Sequence, residues 1–179
     1  MARLNSDLLD YTRSRGAGGL PVVLSHADLH VICRDSVEEC RTAHPSSRVL
    51  LETTGNASGS WDADRIEQAL TNLIVNAIQH GGGGPIRVHS DATAKQIVAI
   101  KVSNGGAVIP ADVLPELFKA YRRGIRGESS GPSAGLGLGL FIVAQIAAAH
   151  GGRVYAESSA GAGTTFTIEL PRAYSMKGP

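Results

Sequence analysis

The sequence predicts an α+β fold, a two-layer α/β sandwich in which one mixed sheet is covered on one face by helices. Three observations lead there. Two pairs of Ile-, Val- and Thr-rich runs, within 85–103 and 153–170, each close on a short turn as antiparallel hairpins do. Three longer stretches, near 28–43, 62–80 and 136–150, carry apolar residues at helical spacing. Strands and helices do not alternate regularly, which disfavours a doubly wound parallel sheet.

Taken in order, residues 2–14 set Leu4, Leu8, Leu9 and Tyr11 at helical spacing and then meet Gly16-Ala17-Gly18-Gly19, as at the tail of a helix that belongs to another unit. Residues 20–24 read as a short extended piece. Ser25 or Asp28 caps an amphipathic helix to about Ala43, stopped at His44-Pro45 because a residue before proline is pushed out of helical conformation. Within it Cys33 and Cys40 fall on one face as small apolar groups, expected to be reduced and structural. Residues 49–53 alternate as a strand, and Gly55-Asn56 or Gly59 supplies a turn before Trp61.

Asp62 caps the next helix, which buries Ile66, Leu70, Leu73, Ile74, Ala77 and Ile78 and stops at Gly81. Residues 85–90 and 96–103 form the first hairpin, turning at Asp91-Ala92-Thr93. A short helix at 115–119 leads into a polar, glycine-bearing loop, 121–134, that has no core of its own. Residues 136–150 are helical, Gly151-Gly152 closes that helix, and 153–157 with 164–170 make the second hairpin, stopped by Pro171.

With 179 residues and 42% hydrophobic content the chain can bury one core, so one domain of roughly 150 residues plus an appendage is expected. A formal net charge of +1 offers no broad electrostatic footprint, so no nucleic acid partner is expected and function must sit in a local site. Neither a long apolar run nor a signal-peptide pattern is visible, and a cytoplasmic location is expected. Glycine is high at 22 residues, with clusters at 81–84, 104–106 and 135–139, as in loops shaped around something.

The stretch LTNLIVNAIQH at 70–80 places Asn72 and Asn76 four residues apart on one face of an otherwise apolar helix. Asparagines on helices more often cap or meet solvent; their company downstream favours a functional reading. Gly135-Leu136-Gly137-Leu138-Gly139 opens a helix, where backbone N–H groups and the positive end of the helix dipole suit a phosphate. A dinucleotide-binding turn needs a strand just before its glycines and an acidic residue about 20 further on, whereas a loop precedes these. No Gly-Lys-Ser or Gly-Lys-Thr exists, which excludes a Walker loop. Magnesium, the usual companion of a triphosphate, takes one or two protein oxygens, a role the Asn76 amide suits. Arg122, Arg123 and Arg126 lie in the coreless loop, where guanidinium forks either reach phosphates or simply meet water. Asn104 is either a turn residue or an amide presented to a purine edge.

In this order the motifs resemble those of the ATP-binding catalytic domain of bacterial sensor histidine kinases, within the superfamily that includes gyrase, Hsp90 and MutL. The asparagine helix resembles the N box and NGGAVIP at 104–110 the G1 box. Leu117-Phe118 and Tyr121-Arg122-Arg123-Gly124 resemble the F box, and GLGLGLFIV at 135–143 the G2 box. GTTFTIELP at 163–171 matches as well, so the resemblance covers about 20–172. It implies a Bergerat-type ATP-binding fold with ATP and Mg2+ as cofactors. It also implies Asn76 as metal ligand with Asn72 beside it and His80 near the phosphates, Asn104 and Gly106 at the base, and Arg122 and Arg123 in a mobile lid at 121–134. Gly135, Leu136, Gly137, Leu138 and Gly139 are then the phosphate cradle.

Two departures qualify the resemblance. The usual G1 aspartate, which accepts from the adenine amino group, is Asn104 here, and the last glycine of that box is Val108; an uncharged acceptor implies weaker nucleotide binding. The V-x-N-x-G pattern resembles a branch that includes bacteriophytochrome-type kinases. The ATP-hydrolysing relatives carry a glutamate four residues before the metal asparagine, where Asn72 stands; an amide cannot act as general base, so hydrolysis is expected to be negligible.

The nucleophile implied by the resemblance is a histidine on a separate dimerisation helix pair, which relays phosphate to a response regulator. Ser25-His26-Ala27-Asp28 lacks the arginine and proline of that acceptor pattern, and His30, His44, His89 and His150 read as surface or capping residues. The expected organisation is therefore a remnant of the second dimerisation helix at 1–15, a catalytic domain at 16–173 and a tail at 174–179. The full-length protein is expected to be a homodimer and its parent soluble or membrane-anchored. The alternatives are a silent nucleotide-binding pseudokinase or scaffold, and an anti-sigma-type protein-serine kinase, which the helix remnant disfavours.

Overall fold

The structure, a computed structural model, describes residues 8–12, 14, 19–121 and 137–172. Among the described residues, after the helical residues 8–12 and 14, seven strands and three α-helices follow in the order β1 (Ser25–Asp28), α1 (Leu29–Ala43), β2 (Val49–Gly55), β3 (Ser58–Trp61), α2 (Ala63–His80), β4 (Ile86–Ala92), β5 (Ile97–Asn104), α3 (Gly139–Ala149), β6 (Arg153–Ser159) and β7 (Gly163–Pro171). A 3-10 turn, Leu114–Phe118, sits between β5 and α3. The main sheet runs β2-β4-β5-β7-β6. Its β2–β4 pair is parallel and the rest antiparallel, so the sheet is mixed, and both expected hairpins are present.

Alternation along the strands divides the sheet. Val88, Val98, Ile100, Val102, Phe166, Ile168 and Leu170 point into the core with the apolar faces of the three helices. Arg87, His89, Lys101, Ser103, Thr165 and Glu169 fall on the other face. Helices on one side of a sheet bury one layer and leave the second polar, the sandwich that the sequence predicts. Cys33 and Cys40 are both buried on the inner face of α1, and burial pushes the Cys33 thiol up to about 12.

Three elements differ from expectation. Residues 20–24 join no strand, and 25–28, expected only to lead into a helix cap, form β1, which pairs antiparallel with β3 in a separate two-stranded sheet. Gly59 is not a turn but the second residue of β3, where a Cβ would fall 2.2 Å from the Trp61 ring. Trp61 is fully buried, and its indole N–H donates to the Pro171 carbonyl at 3.1 Å. The last helix begins at Gly139 and not at 136, because Gly137 has φ +71°, outside the helical region, and Leu138 serves as N-cap.

The N-terminal helical residues 8–12 pack on this domain. Asp10, 2% exposed, accepts from Arg65 Nη1 and Gln68 Nε2, each at 2.8 Å. The Tyr11 ring meets Tyr121 and Phe141 edge-on, with centroids 5.0 and 5.5 Å apart. Just past β7, Arg172 gathers the chain by donating to the carbonyls of Asn56, Ser58, Ala92 and Ala94.

Candidate functional site

Helix α2 positions the first group of site residues. Asp62 caps it: Oδ1 accepts from Arg65 N–H at 3.2 Å and Oδ2 from Val23 N–H at 2.7 Å. The Asp62 N–H donates to His150 Nε2 at 3.0 Å, and His150 Nδ1 pairs with the Ile146 carbonyl at 2.7 Å. His150, 1% exposed, thus ties the end of α3 to the start of α2 as a neutral imidazole, and burial holds its pKa below the usual value. With Ile66, Leu70, Leu73, Ile74 and Ala77 facing the core, Asn72, Asn76 and His80 fall along one flank at spacings of four.

These three side chains are not equivalent. Asn72, half-buried, donates from Nδ2 to the Gly139 carbonyl at 3.4 Å. Asn76 is also half-buried and has no side-chain hydrogen bond among the described residues. His80 is exposed in the last turn, just before glycines at positive φ, Gly82 and Gly83.

Asn104 ends β5 beside the C-terminus of α2. It is 7% exposed; its Nδ2 donates to the Gly105 carbonyl, and its Oδ1 is buried without a partner. Glycines make this placement possible. A Cβ on Gly106, which has φ +103°, would fall 2.3 Å from the His80 carbonyl, and one on Gly163 would fall 2.2 Å from the Asn104 carbonyl. The 104–106 turn is therefore held between the end of α2 and the start of β7. Thr164, buried and paired with Asn104 across β5–β7, bonds Ser158 Oγ at 2.9 Å, and Ser158 Oγ accepts from the Ile109 N–H at 3.0 Å.

The third part is the entry to α3. Its first N–H groups have no helical acceptor and follow Gly137, Leu138 and Gly139. Leu138 itself is buried. A Cβ on Gly139 would lie 3.8 Å from Asn72, an ordinary contact, so glycine at 139 is not imposed by protein packing. Tyr121, at φ +60°, donates its N–H to the Gly137 carbonyl at 3.2 Å and brings the chain before and after 122–136 to one point. Arg122, Arg123, Arg126, Gly135 and Leu136 lie outside the described residues.

The arrangement brings together an open amide flank, a buried acceptor and a glycine-opened helix. Residues 61–174 match the model of the histidine kinase-, DNA gyrase B- and HSP90-like ATPase family. The chain belongs to that family. It is 36% identical over 175 residues to the signal transduction histidine-protein kinase AfsQ2 of Streptomyces coelicolor, covering 95% of this chain and 31% of AfsQ2. It is 32% identical over 172 residues to the probable sensor histidine kinase TcrY of Mycobacterium tuberculosis, covering 96% and 35% respectively. The chain thus spans about a third of the length of these relatives.

Among solved structures, full-length ShkA in complex with AMPPNP superposes with a TM-score of 0.79 at 26% identity, covering 96% of this chain and 36% of ShkA. The catalytic domain of the histidine kinase ThkA gives 0.72 at 25%, covering 85% and 99%. The chain is a histidine kinase-type ATP-binding catalytic domain with the expected α/β sandwich. The sequence marks Gly81 only as a helix stop and Gly163 and Thr164 only as part of the GTTFTIELP run, whereas in the structure all three shape the surroundings of Asn104. The GTTF run at 163–166 and the glycines after His80 were their visible signals.

Proposed function

We propose that this kinase domain binds Mg·ATP against Asn72, Asn76 and His80 of α2, the 104–106 turn and the glycines that open α3. It then passes the γ-phosphate to a histidine on a dimerisation helix pair of the same protein, for relay to a response regulator. The observation that carries the reading is the buried, unpartnered Oδ1 of Asn104. An acceptor left alone in a protein interior costs free energy unless a ligand supplies the donor, and the adenine amino group is such a donor. The AMPPNP bound by ShkA supports the same reading.

The donor set fits the metal as well. No group of three or more His, Cys, Asp or Glu that could hold an ion exists among the described residues. Magnesium is commonly held by one or two protein oxygens together with substrate phosphates, and the uncommitted Asn76 amide oxygen can be one of them. When bound it would neutralise charge on the phosphates. The chain's own contributions are positional: Asn72 fixes the entry of α3 to α2, and the N–H groups after Gly137 and Leu138 bind phosphate oxygens. His80, Arg122 and Arg123 add positive or hydrogen-bonding groups near the phosphates, with Gly135 and Leu136 completing the cradle. With Asn72 in place of a carboxylate, no side chain there draws a proton from water, so transfer waits for an imidazole.

Residues 1–15 are read as the end of a dimerisation helix, 16–173 as the catalytic domain and 174–179 as a tail, in a homodimeric parent whose kinase part is cytoplasmic. The V-x-N-x-G form of the G1 box is read as a variant that lowers affinity. The uncharged acceptor at 104 favours one second reading, a nucleotide-binding pseudokinase. Calorimetric titration of this chain with AMPPNP, with and without magnesium, tests the proposal. Magnesium-dependent binding supports it and calls for adding the dimerisation helices to look for phosphohistidine. No binding at millimolar AMPPNP, with the fold intact, overturns it.

A further inference from the structure

We propose that Asp10 and Tyr11 staple together the two elements at the phosphate end of the nucleotide site, with Tyr11 a positioning residue, so that nucleotide affinity reports whether the N-terminal turn is docked. The inference rests on the reading of α2 and the entry to α3 as that phosphate end. Arg65, Gln68, Asn72 and Asn76 follow one another at spacings of three and four, and so share one flank of α2. Asp10, 2% exposed, holds the first two, accepting from each at 2.8 Å. Tyr11 reaches the other element. Its ring meets Phe141 in the first turn of α3 at 5.5 Å and Tyr121 at 5.0 Å. Two adjacent side chains thus run from the asparagine flank of α2 to the chain on either side of residues 122–136.

The backbone that the staple reaches is the one proposed to meet phosphate. Tyr121 sits at φ +60°, a conformation that a residue other than glycine keeps only where its surroundings impose it. From there its N–H donates to the carbonyl of Gly137, the residue that leads into α3. Tyr121 is 52% exposed, so the edge-on Tyr11 ring is a restraint on a strained residue that protein covers only in part. The bond from Asn72 to the Gly139 carbonyl, at 3.4 Å, is long and holds the same entry less firmly. A backbone kept in its binding geometry before the ligand arrives binds more tightly than one the ligand must order. Docking of the turn therefore raises affinity for the phosphates, and by reciprocity bound nucleotide holds the turn in place. Leu8 and Leu9 stay 43% and 55% exposed, so the turn is oriented by Asp10 and Tyr11 and not by apolar burial. A displacement of the turn is then felt at Gly137.

The test is calorimetric titration of the native chain, Tyr11→Phe, Tyr11→Ala and Asp10→Ala with AMPPNP and magnesium, each shown folded by its thermal melt. Hydrogen exchange at the amides of residues 8–12, with and without AMPPNP, reads the docking itself. Tyr11→Phe keeps the ring and should bind like the native chain. Tyr11→Ala should lose about fivefold or more in affinity. Asp10→Ala releases the turn from α2 without touching either ring contact and should weaken binding in the same sense, which keeps the staple testable if Tyr11→Ala does not fold. Exchange at 8–12 should slow on addition of AMPPNP in the native chain and not in Tyr11→Ala. Native affinity in a folded Tyr11→Ala or Asp10→Ala, or exchange at 8–12 indifferent to AMPPNP, would overturn the staple while leaving the nucleotide site in place. A loss in Tyr11→Phe equal to that in Tyr11→Ala would assign the effect to the hydroxyl and overturn it too. No binding by the folded native chain would overturn the proposed function along with the staple, so the two failures are distinguishable.

Discussion

The amide of Asn72 donates to the carbonyl of Gly139, 3.4 Å away, and so joins the helix that carries Asn76 to the first residue of the helix after the glycine run. One asparagine is used between elements while the other, one turn on, has no protein partner among the described residues. Asn76→Ala should therefore abolish magnesium-dependent binding of AMPPNP and leave the melting temperature nearly unchanged. Calorimetry and thermal melting of the variant check this; undiminished binding would remove Asn76 from the site.

Gly139→Ala separates fold from function in a second way. A Cβ there finds only ordinary contact with Asn72, and alanine is favoured over glycine in a helix by roughly 0.5–1 kcal/mol. Stability should hold or rise. AMPPNP affinity should fall about tenfold if the backbone must approach a phosphate there. A stable variant with native affinity would show that the phosphate lies elsewhere.

Asn104→Asp should hold or tighten adenine nucleotide binding, because a charged acceptor makes a stronger hydrogen bond with the amino group. The donation to the Gly105 carbonyl is lost in exchange. Complete loss of AMPPNP binding in a folded variant would show that the pocket is built around the amide.

His150 gives the domain an acid-sensitive joint. Its folded pKa is held below the usual value of 6.5, mainly by burial. Above about pH 6.5 neither the folded nor the unfolded chain holds the proton, and the contribution to stability is complete. As pH falls below that, the unfolded chain takes up a proton that the folded chain resists, so stability declines down to the folded pKa, by at most about 1.4 kcal/mol per pH unit. Urea melts of the native chain and His150→Gln near pH 7.5 and pH 5.5 measure it, and the variant should lose less on acidification. Equal losses would assign the acid limb to other groups.

The path from sequence to site was legible where local signals agree. Asp62, the apolar positions from Ile66 to Ala77 and Gly81 mark the start, face and end of α2, so the shared flank of Asn72 and Asn76 follows from helical spacing. The strand β3 was not legible, since SGSW has no apolar alternation and Gly59 imitates a turn; it is the Trp61 ring that needs the missing side chain. His150 reads as a capping residue in sequence, and it does end α3, but its bond to Asp62 spans 88 positions and leaves no local trace. The orphaned oxygen of Asn104 was equally hidden. It depends on glycines at 81, 106 and 163 that converge only once α2, β5 and β7 are packed together.

The bond between Tyr121 N–H and the Gly137 carbonyl makes the two ends of the intervening stretch a single point on the domain. Closing a loop across such a neck costs entropy that grows only with the logarithm of its length, roughly 0.6 kcal/mol per doubling. Residues can therefore be added or removed between Tyr121 and Gly137 with little effect on how firmly the sandwich folds.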